Sequence, residues 1–189
     1  ASSSWAVTGT PRENKATDYV LALDHADTVS IGYISFASQD TTHRINGAVW
    51  VNRCDSVEIH HLRITDFRWA GVYEYVSSRM RIHHNRVHDA SMEKDGHWSG
   101  NIRTRYLKHS TIHDNHISIS RYAGYGYKAA GHTDVKIFDN RIEGAYFAIE
   151  SAHENEFGVE IFDNYLDGCV SIPKPSQADP SVPTANRPE

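Results

Sequence analysis

Apolar residues recur along this chain in a short fixed figure rather than in a long helical period. Val135 to Ile142 reads Val-Lys-Ile-Phe-Asp-Asn-Arg-Ile, and Val159 to Leu166 reads Val-Glu-Ile-Phe-Asp-Asn-Tyr-Leu. Met80 to Val87 repeats the figure around Ile82 and Asn85, and Ser110 to Ile117 repeats it around Ile112 and Asn115. Two weaker copies, Val57 to Ile64 and Val29 to Phe36, carry Leu62 and Ile34 in place of the asparagine. Measured between Ile31, Ile59, Ile82, Ile112, Ile137 and Ile161, the steps are 28, 23, 30, 25 and 24 residues. Such scatter, without sustained 3.6-residue periodicity, excludes helical repeats of strict period. Period-two segments bounded by polar turns predict short strands instead.

A further short segment precedes each later anchor: Val49-Trp50-Val51, Val72 to Tyr75, Ile102 to Arg105, Tyr125 to Lys128, and Ile149 to Ser151. Three strands per coil of roughly 24 residues predict an all-β chain, a right-handed parallel β-helix of about six coils. Stacked coils bring Asn85, Asn115, Asn140 and Asn164 into an asparagine ladder, whose amides satisfy one another and the backbone. Loops of unequal length join the third strand of one coil to the first of the next, the longest running from His88 to Gly100. They carry Trp69, His97, Trp98, Arg121, Tyr122 and Tyr146 to one edge of the first-strand face, where a rigid scaffold usually presents its function.

At 189 residues one domain is expected. The repeats span 1–172, and a tail over 173–189 holds five of the six prolines. Such a tail is no central strand. Neither end has an evident polar cap, so the tail closes the solenoid or the chain is part of a longer one. The net charge of -5, with no basic run, argues against a nucleic-acid partner. No apolar stretch is long enough to span a bilayer as a helix. Cys54 and Cys169 lie in distant coils, too far apart to bridge. The expected location is secreted or periplasmic, although no signal peptide is present in this sequence.

The asparagine-ladder repeat resembles the pectin-lyase-like superfamily of right-handed parallel β-helices, over roughly Val20 to Ile172. That resemblance implies an enzyme on acidic polysaccharides, although the superfamily also contains epimerases, glycosidases and adhesins. A weaker likeness is to the alginate lyase and chondroitinase B family. That family uses a lysine and an arginine on the first-strand face, with a calcium ion at the substrate carboxylate. Here Arg103 and Arg105 precede Lys128, the reverse of that family's order, and its cluster of acidic calcium ligands is not evident. Calcium therefore enters as an open expectation.

Alternation along the first strands turns Trp50, Asn52, Tyr73, Tyr75, Arg103, Arg105, Gly126, Lys128 and Glu150 outward if Val49, Val72, Ile102 and Ile149 point inward. Lys128 levels with Arg103 or with Arg105; either register leaves it outward. Arginine, lysine and glutamate thus become neighbours on successive coils, about 4.8 Å apart. A neighbouring guanidinium favours the neutral amine of a lysine. A neutral lysine can take the C5 proton of a uronic acid while an arginine neutralises its carboxylate. The expected catalytic set is Lys128 as base, Arg103 or Arg105 on the carboxylate, and Tyr73 or Tyr75 as acid. Tyr125, Tyr127 and His97 are further acid or base candidates. Trp50, Trp69, His97, Trp98, Tyr122, Tyr125, Tyr127, Glu150 and His153 are the expected substrate contacts, since aromatic faces suit pyranose rings. The same charges could instead form a solvated ladder of alternating sign.

A glycoside hydrolase needs two carboxylates about 5 to 10 Å apart. Glu74 and Glu150 lie three coils apart, and Glu74 has inward parity, so a loop carboxylate such as Glu93 or Asp95 would have to serve. His60, His83 and His113 share one slot in consecutive coils, and His61 and His84 share the next. Three collinear imidazoles cannot converge on one ion at about 2.0 Å, so these histidines read as structural stacking, and Asp114, Asp139 and Asp163 continue the second column as turn formers. The overall expectation is a polysaccharide lyase acting by β-elimination. The alternatives are a β-helix glycoside hydrolase and a non-catalytic carbohydrate-binding or adhesin fibre.

Overall fold

The structure is a computed structural model, and it describes residues 18–38, 45–90, 100–120, 125–151 and 156–171. Its strands form three parallel sheets, each made of one strand per coil. The first sheet has seven strands: β1 (Tyr19–Asp24), β4 (Gly47–Asn52), β7 (Ala70–Tyr75), β10 (Ile102–Arg105), β13 (Tyr125–Ala129), β16 (Phe147–Ser151) and β19 (Cys169–Ser171). The second contains β2 (Asp27–Gly32), β5 (Asp55–His60), β8 (Arg81–His83), β11 (Lys108–His113), β14 (Thr133–Phe138) and β17 (Glu160–Phe162). The third contains β3 (Ser35–Ala37), β6 (Arg63–Thr65), β9 (Arg86–His88), β12 (His116–Ser118), β15 (Arg141–Glu143) and β18 (Tyr165–Leu166). Every strand pairs with its counterpart in the next coil, which is a parallel β-solenoid. Among the described residues no helix is long and apolar enough to cross a membrane.

The anchor isoleucines fall in register as the spacing requires. Ile31 pairs with Ile59, Ile59 with Ile82, Ile82 with Ile112, Ile112 with Ile137, and Ile137 with Ile161. Ile59, Ile82, Ile112 and Ile137 are buried, alongside Ile64, Val87, Ile117 and Ile142 from the third strands. Each fully buried aliphatic side chain of this kind contributes about 1.5–3 kcal/mol of apolar burial. Cys54 is buried, Cys169 is exposed, and both are free, as their distant coils require.

Between the second and third strands the chain reverses through one left-handed residue followed by the ladder position. Tyr33, His61, His84, Asp114, Asp139 and Asp163 all have φ between 51° and 60°. Histidine and aspartate are among the few side chains enriched in that region, which explains their recurrence there. The ladder itself is continuous. Asn85 Nδ2 donates to Asn115 Oδ1 at 2.9 Å, Asn115 Nδ2 to Asn140 Oδ1 at 2.9 Å, and Asn140 Nδ2 to Asn164 Oδ1 at 3.0 Å. Each amide also donates to a backbone carbonyl of the preceding coil, Asn115 to Ile82 O at 2.8 Å for example. The ladder ends at Leu62, whose backbone N–H donates to Asn85 Oδ1 at 3.0 Å.

Candidate functional site

The first strands of the inner coils enter the sheet with two consecutive inward residues and only then alternate. Ala48 and Val49, Asn101 and Ile102, and Ala148 and Ile149 are all buried. A Cβ built on Gly126 would meet Ile142 Cγ2 at 2.4 Å, so this position faces the interior. Gly126 is therefore not outward, contrary to simple alternation. Tyr127 beside it is 1% exposed in the core and bonds Thr104 Oγ1 at 2.6 Å. It cannot touch a polysaccharide, which corrects its assignment as a substrate contact. His132, also buried, completes this internal network, bonding Thr104 Oγ1 at 2.7 Å and Glu156 at 3.1 Å.

The outward positions align across the sheet in one register row. Ala22 pairs with Trp50, Trp50 with Tyr73, Tyr73 with Arg103, Arg103 with Lys128, and Lys128 with Glu150. Lys128 thus levels with Arg103. A second row carries Asn52, Tyr75 and Arg105. Arg103 lies with Cζ 4.7 Å from the Trp69 ring centroid and 5.7 Å from that of Tyr73. Tyr73 in turn packs on Tyr19, with Trp50, Trp69 and Tyr75 against the same cluster. A guanidinium over an aromatic face is held by the ring quadrupole, worth about 1–2 kcal/mol where water is excluded. Burial pushes the Arg103 guanidinium down to about 10, so it keeps its charge at neutral pH. Arg105 sits between the Tyr75 and Tyr106 rings, at 5.7 and 5.5 Å.

Lys128 is 5% exposed and its amine pairs with the Glu150 carboxylate. The amine also lies 4.0 Å from the centroid of the Tyr125 ring. Burial lowers the Lys128 pKa, Glu150 opposes that shift, and Arg103 adds to it. Burial and the neighbouring Glu150 raise the Tyr125 phenol, which keeps it protonated. Tyr125 stacks on Phe147 at 5.4 Å, and Tyr146 meets Phe147 edge-on at 4.7 Å.

The site residues named from the sequence thus separate into groups. Arg103, Lys128, Glu150 and Tyr125 come together. Tyr73 lies on β7, two strands from Lys128, and at 6% exposure its ring is covered, so it is poorly placed as the acid. Tyr75 and Arg105 lie one row further along their strands. Trp50 and Trp69 border the row at its far end. His97, Trp98, Tyr122 and His153 lie outside the described residues. Glu74 is fully buried and accepts from the backbone N–H groups of Ser77 at 2.7 Å and Arg105 at 3.0 Å. Its inward parity therefore holds, and it is no partner carboxylate for Glu150.

Among the described residues no set of oxygen ligands for calcium surrounds this row. Among the described residues the carboxylate there is Glu150, already tied to Lys128, whereas calcium takes six to eight oxygen ligands. Sequence reasoning missed Tyr19, which packs on Tyr73, and Phe147, which supports Tyr125. Tyr19 had a signal: Leu21 precedes Ile31 by the same interval that separates Val49 from Ile59.

No curated protein and no solved structure matches the chain. A family model described as the right-handed beta helix region matches residues 27–172, the greater part of its length. With its three parallel sheets and its asparagine ladder, the chain belongs to the right-handed β-helix family.

Proposed function

We propose that the chain binds an acidic polysaccharide along the first-strand face and cleaves it by β-elimination. The observation that carries this reading is the register row in which Arg103, Lys128 and Glu150 occupy adjacent strands, with the lysine amine nearly excluded from water. Arg103 neutralises the uronate carboxylate, which acidifies the C5 proton. Lys128, whose amine burial and Arg103 push toward the neutral form, takes the C5 proton. The electron pair left at C5 forms the C4–C5 double bond as the C4–O bond breaks. Tyr125, protonated and in contact with Lys128, donates to the departing oxygen. Tyr125 replaces Tyr73 and Tyr75 in that role because it shares the row's active end. No metal is required by this scheme.

A second reading is a non-catalytic carbohydrate-binding fibre. It is favoured by one observation: the Lys128 amine is already satisfied by Glu150, as in a purely structural ion pair. A hydrolase has less support, because Glu150 has no second carboxylate near it among the described residues of this face. The discriminating experiment incubates the protein with alginate, pectate, chondroitin and heparin and follows the ultraviolet absorbance of the unsaturated uronate. Lyase action gives a rise that Lys128→Arg abolishes while the fold is retained. New reducing ends without that absorbance would replace the lyase by a hydrolase. Saturable binding without either product would leave the fibre.

A further inference from the structure

The second sheet carries two columns of rings side by side along its edge. His60, His83, His113, Phe138 and Phe162 stack with centroid separations of 5.6, 4.9, 4.8 and 5.1 Å. Beside them Tyr33, His61 and His84 stack at 4.8 and 5.0 Å, and Asp114 continues the column. Stacking alone does not require imidazole, because phenylalanine holds the same slot in the next two coils. Nor does the left-handed turn, which aspartate satisfies in three coils. The nitrogen atoms are an addition to both roles.

Their arrangement is specific. Within each coil the two columns turn donor atoms toward each other: His60 Nδ1 and His61 Nδ1 are 3.0 Å apart, and His83 Nδ1 and His84 Nδ1 2.9 Å. His113 Nδ1 and Asp114 Oδ2 are 2.7 Å apart. A ligating atom from each of His84, His113 and Asp114 lies within 4.8 Å of the others. Glu58 accepts from His83 Nε2 at 2.9 Å, which places the proton on Nε2 and directs the Nδ1 lone pair toward His84 Nδ1. A carboxylate behind the remote nitrogen of a ligating histidine is the usual outer support of a metal site. One column alone is collinear and cannot chelate, but two columns supply paired donors from consecutive coils.

We infer that His83, His84, His113 and Asp114 bind one divalent transition-metal ion of the zinc class across β8 and β11. Three imidazole nitrogens and one carboxylate oxygen suit such an ion. Tetrahedral bonds of about 2.0–2.1 Å place neighbouring donors about 3.3 Å apart. The pair within each coil is already close to that bite. His84, His113 and Asp114, with donors within 4.8 Å of one another, need side-chain rotations that draw them together by about 1.5 Å, and His83, stacked on His113, turns further to complete the set. The ion bridges two coils, so binding also resists their separation.

The test is calorimetric titration of the whole chain with Zn²⁺ alone, repeated after chelator treatment. The expected result is one ion per chain with a dissociation constant below about 10 μM and a rise in unfolding temperature that the chelator reverses. His113→Phe copies the Phe138 slot and His84→Asn keeps a residue tolerant of the left-handed turn, so both retain the fold, which circular dichroism checks. Each weakens binding at least ten-fold, and so does Glu58→Gln, which touches only the outer nitrogen of His83. His109→Asn, at an exposed pair with Asp134 elsewhere on the sheet, leaves it unchanged. Absence of saturable Zn²⁺ binding, or folded His113→Phe and His84→Asn chains binding within two-fold of the parent, overturns the site.

Discussion

Replacing Asn115 by alanine tests the ladder where it is most enclosed. The Asn115 side chain makes four hydrogen bonds. It donates to Ile82 O at 2.8 Å and to Asn140 Oδ1 at 2.9 Å, and it accepts from Asn85 N at 3.1 Å and from Asn85 Nδ2 at 2.9 Å. Asn85 and Asn140 keep other side-chain partners, Ile59 O and Asn164 Oδ1 among them. The Asn85 backbone N–H, in contrast, loses its acceptor inside a coil where the neighbouring asparagines are 1–3% exposed. An orphaned buried donor costs about 1–3 kcal/mol, and each lost amide bond about 1 kcal/mol more. With three such bonds besides the orphaned donor, the expected total is about 4–6 kcal/mol. Asn164→Ala breaks the same kind of contact at a half-buried position, where water substitutes, and is expected to cost about 1–2 kcal/mol. Urea unfolding followed by circular dichroism compares the two, with an unchanged slope showing that the same surface is exposed. If Asn115→Ala costs no more than Asn164→Ala, the ladder's amides contribute nothing beyond what water offers, and the account of the coil is refuted.

Other outcomes follow from particular side chains. Burial raises the Glu74 carboxyl from 4.5 to about 8, above its unfolded value, so its contribution is complete below about 4.5 and is lost as pH rises toward 8. Over that window stability falls by up to about 1.4 kcal/mol per pH unit. Glu74→Gln removes the slope, and equal pH profiles of urea midpoints for the two proteins would reject the assignment. Tyr127→Phe leaves Thr104 and His132 bonded to each other but removes the 2.6 Å partner, costing about 1–2 kcal/mol in the same assay and leaving polysaccharide binding unchanged. Weakened binding in that variant would return Tyr127 to the face. Ile82→Ala, at the centre of the second sheet, is expected to cost about 2–5 kcal/mol, and a loss under 1 kcal/mol would mean that the core collapses around it.

The scaffold was legible because its determinants are local and repeated. An apolar anchor, an asparagine three residues later and a polar turn recur in sequence, and stacking needs nothing else to set their register. The face was harder. Alternation placed Trp50, Tyr73, Arg103, Lys128 and Glu150 correctly and gave Tyr127 its inward parity, against its naming as a substrate contact, but it failed at Gly126, where two successive residues turn inward at the corner before the pleat resumes. Tyr127 looked like a surface aromatic because its partners, Thr104 and His132, come from a neighbouring coil and a following turn. That Lys128 lies beside Tyr125 and two strands from Tyr73 needed the register of β13 on β10, which alternation left open between Arg103 and Arg105.

The three corners of the coil differ in how they treat added length. From Val49 to Ile59, Val72 to Ile82, Ile102 to Ile112 and Tyr127 to Ile137 the interval is ten residues, lengthening to twelve only from Ile149 to Ile161, and the step from each anchor to its ladder position is constant throughout. From Phe36 to Val49, Ile64 to Val72, Val87 to Ile102, Ile117 to Tyr127 and Ile142 to Ile149 it varies freely. The one-residue left-handed turn and the ladder lock the second corner to a single geometry, so changes of chain length collect elsewhere, chiefly at the third. That corner opens onto the edge of the face that carries Arg103 and Lys128. The coil therefore separates two tasks: one corner counts residues and keeps the stack in phase, while another accepts loops of any size at the mouth of the binding surface. A sequence inserted at the corner before Gly100 should change what the face can hold without disturbing the isoleucine columns behind it.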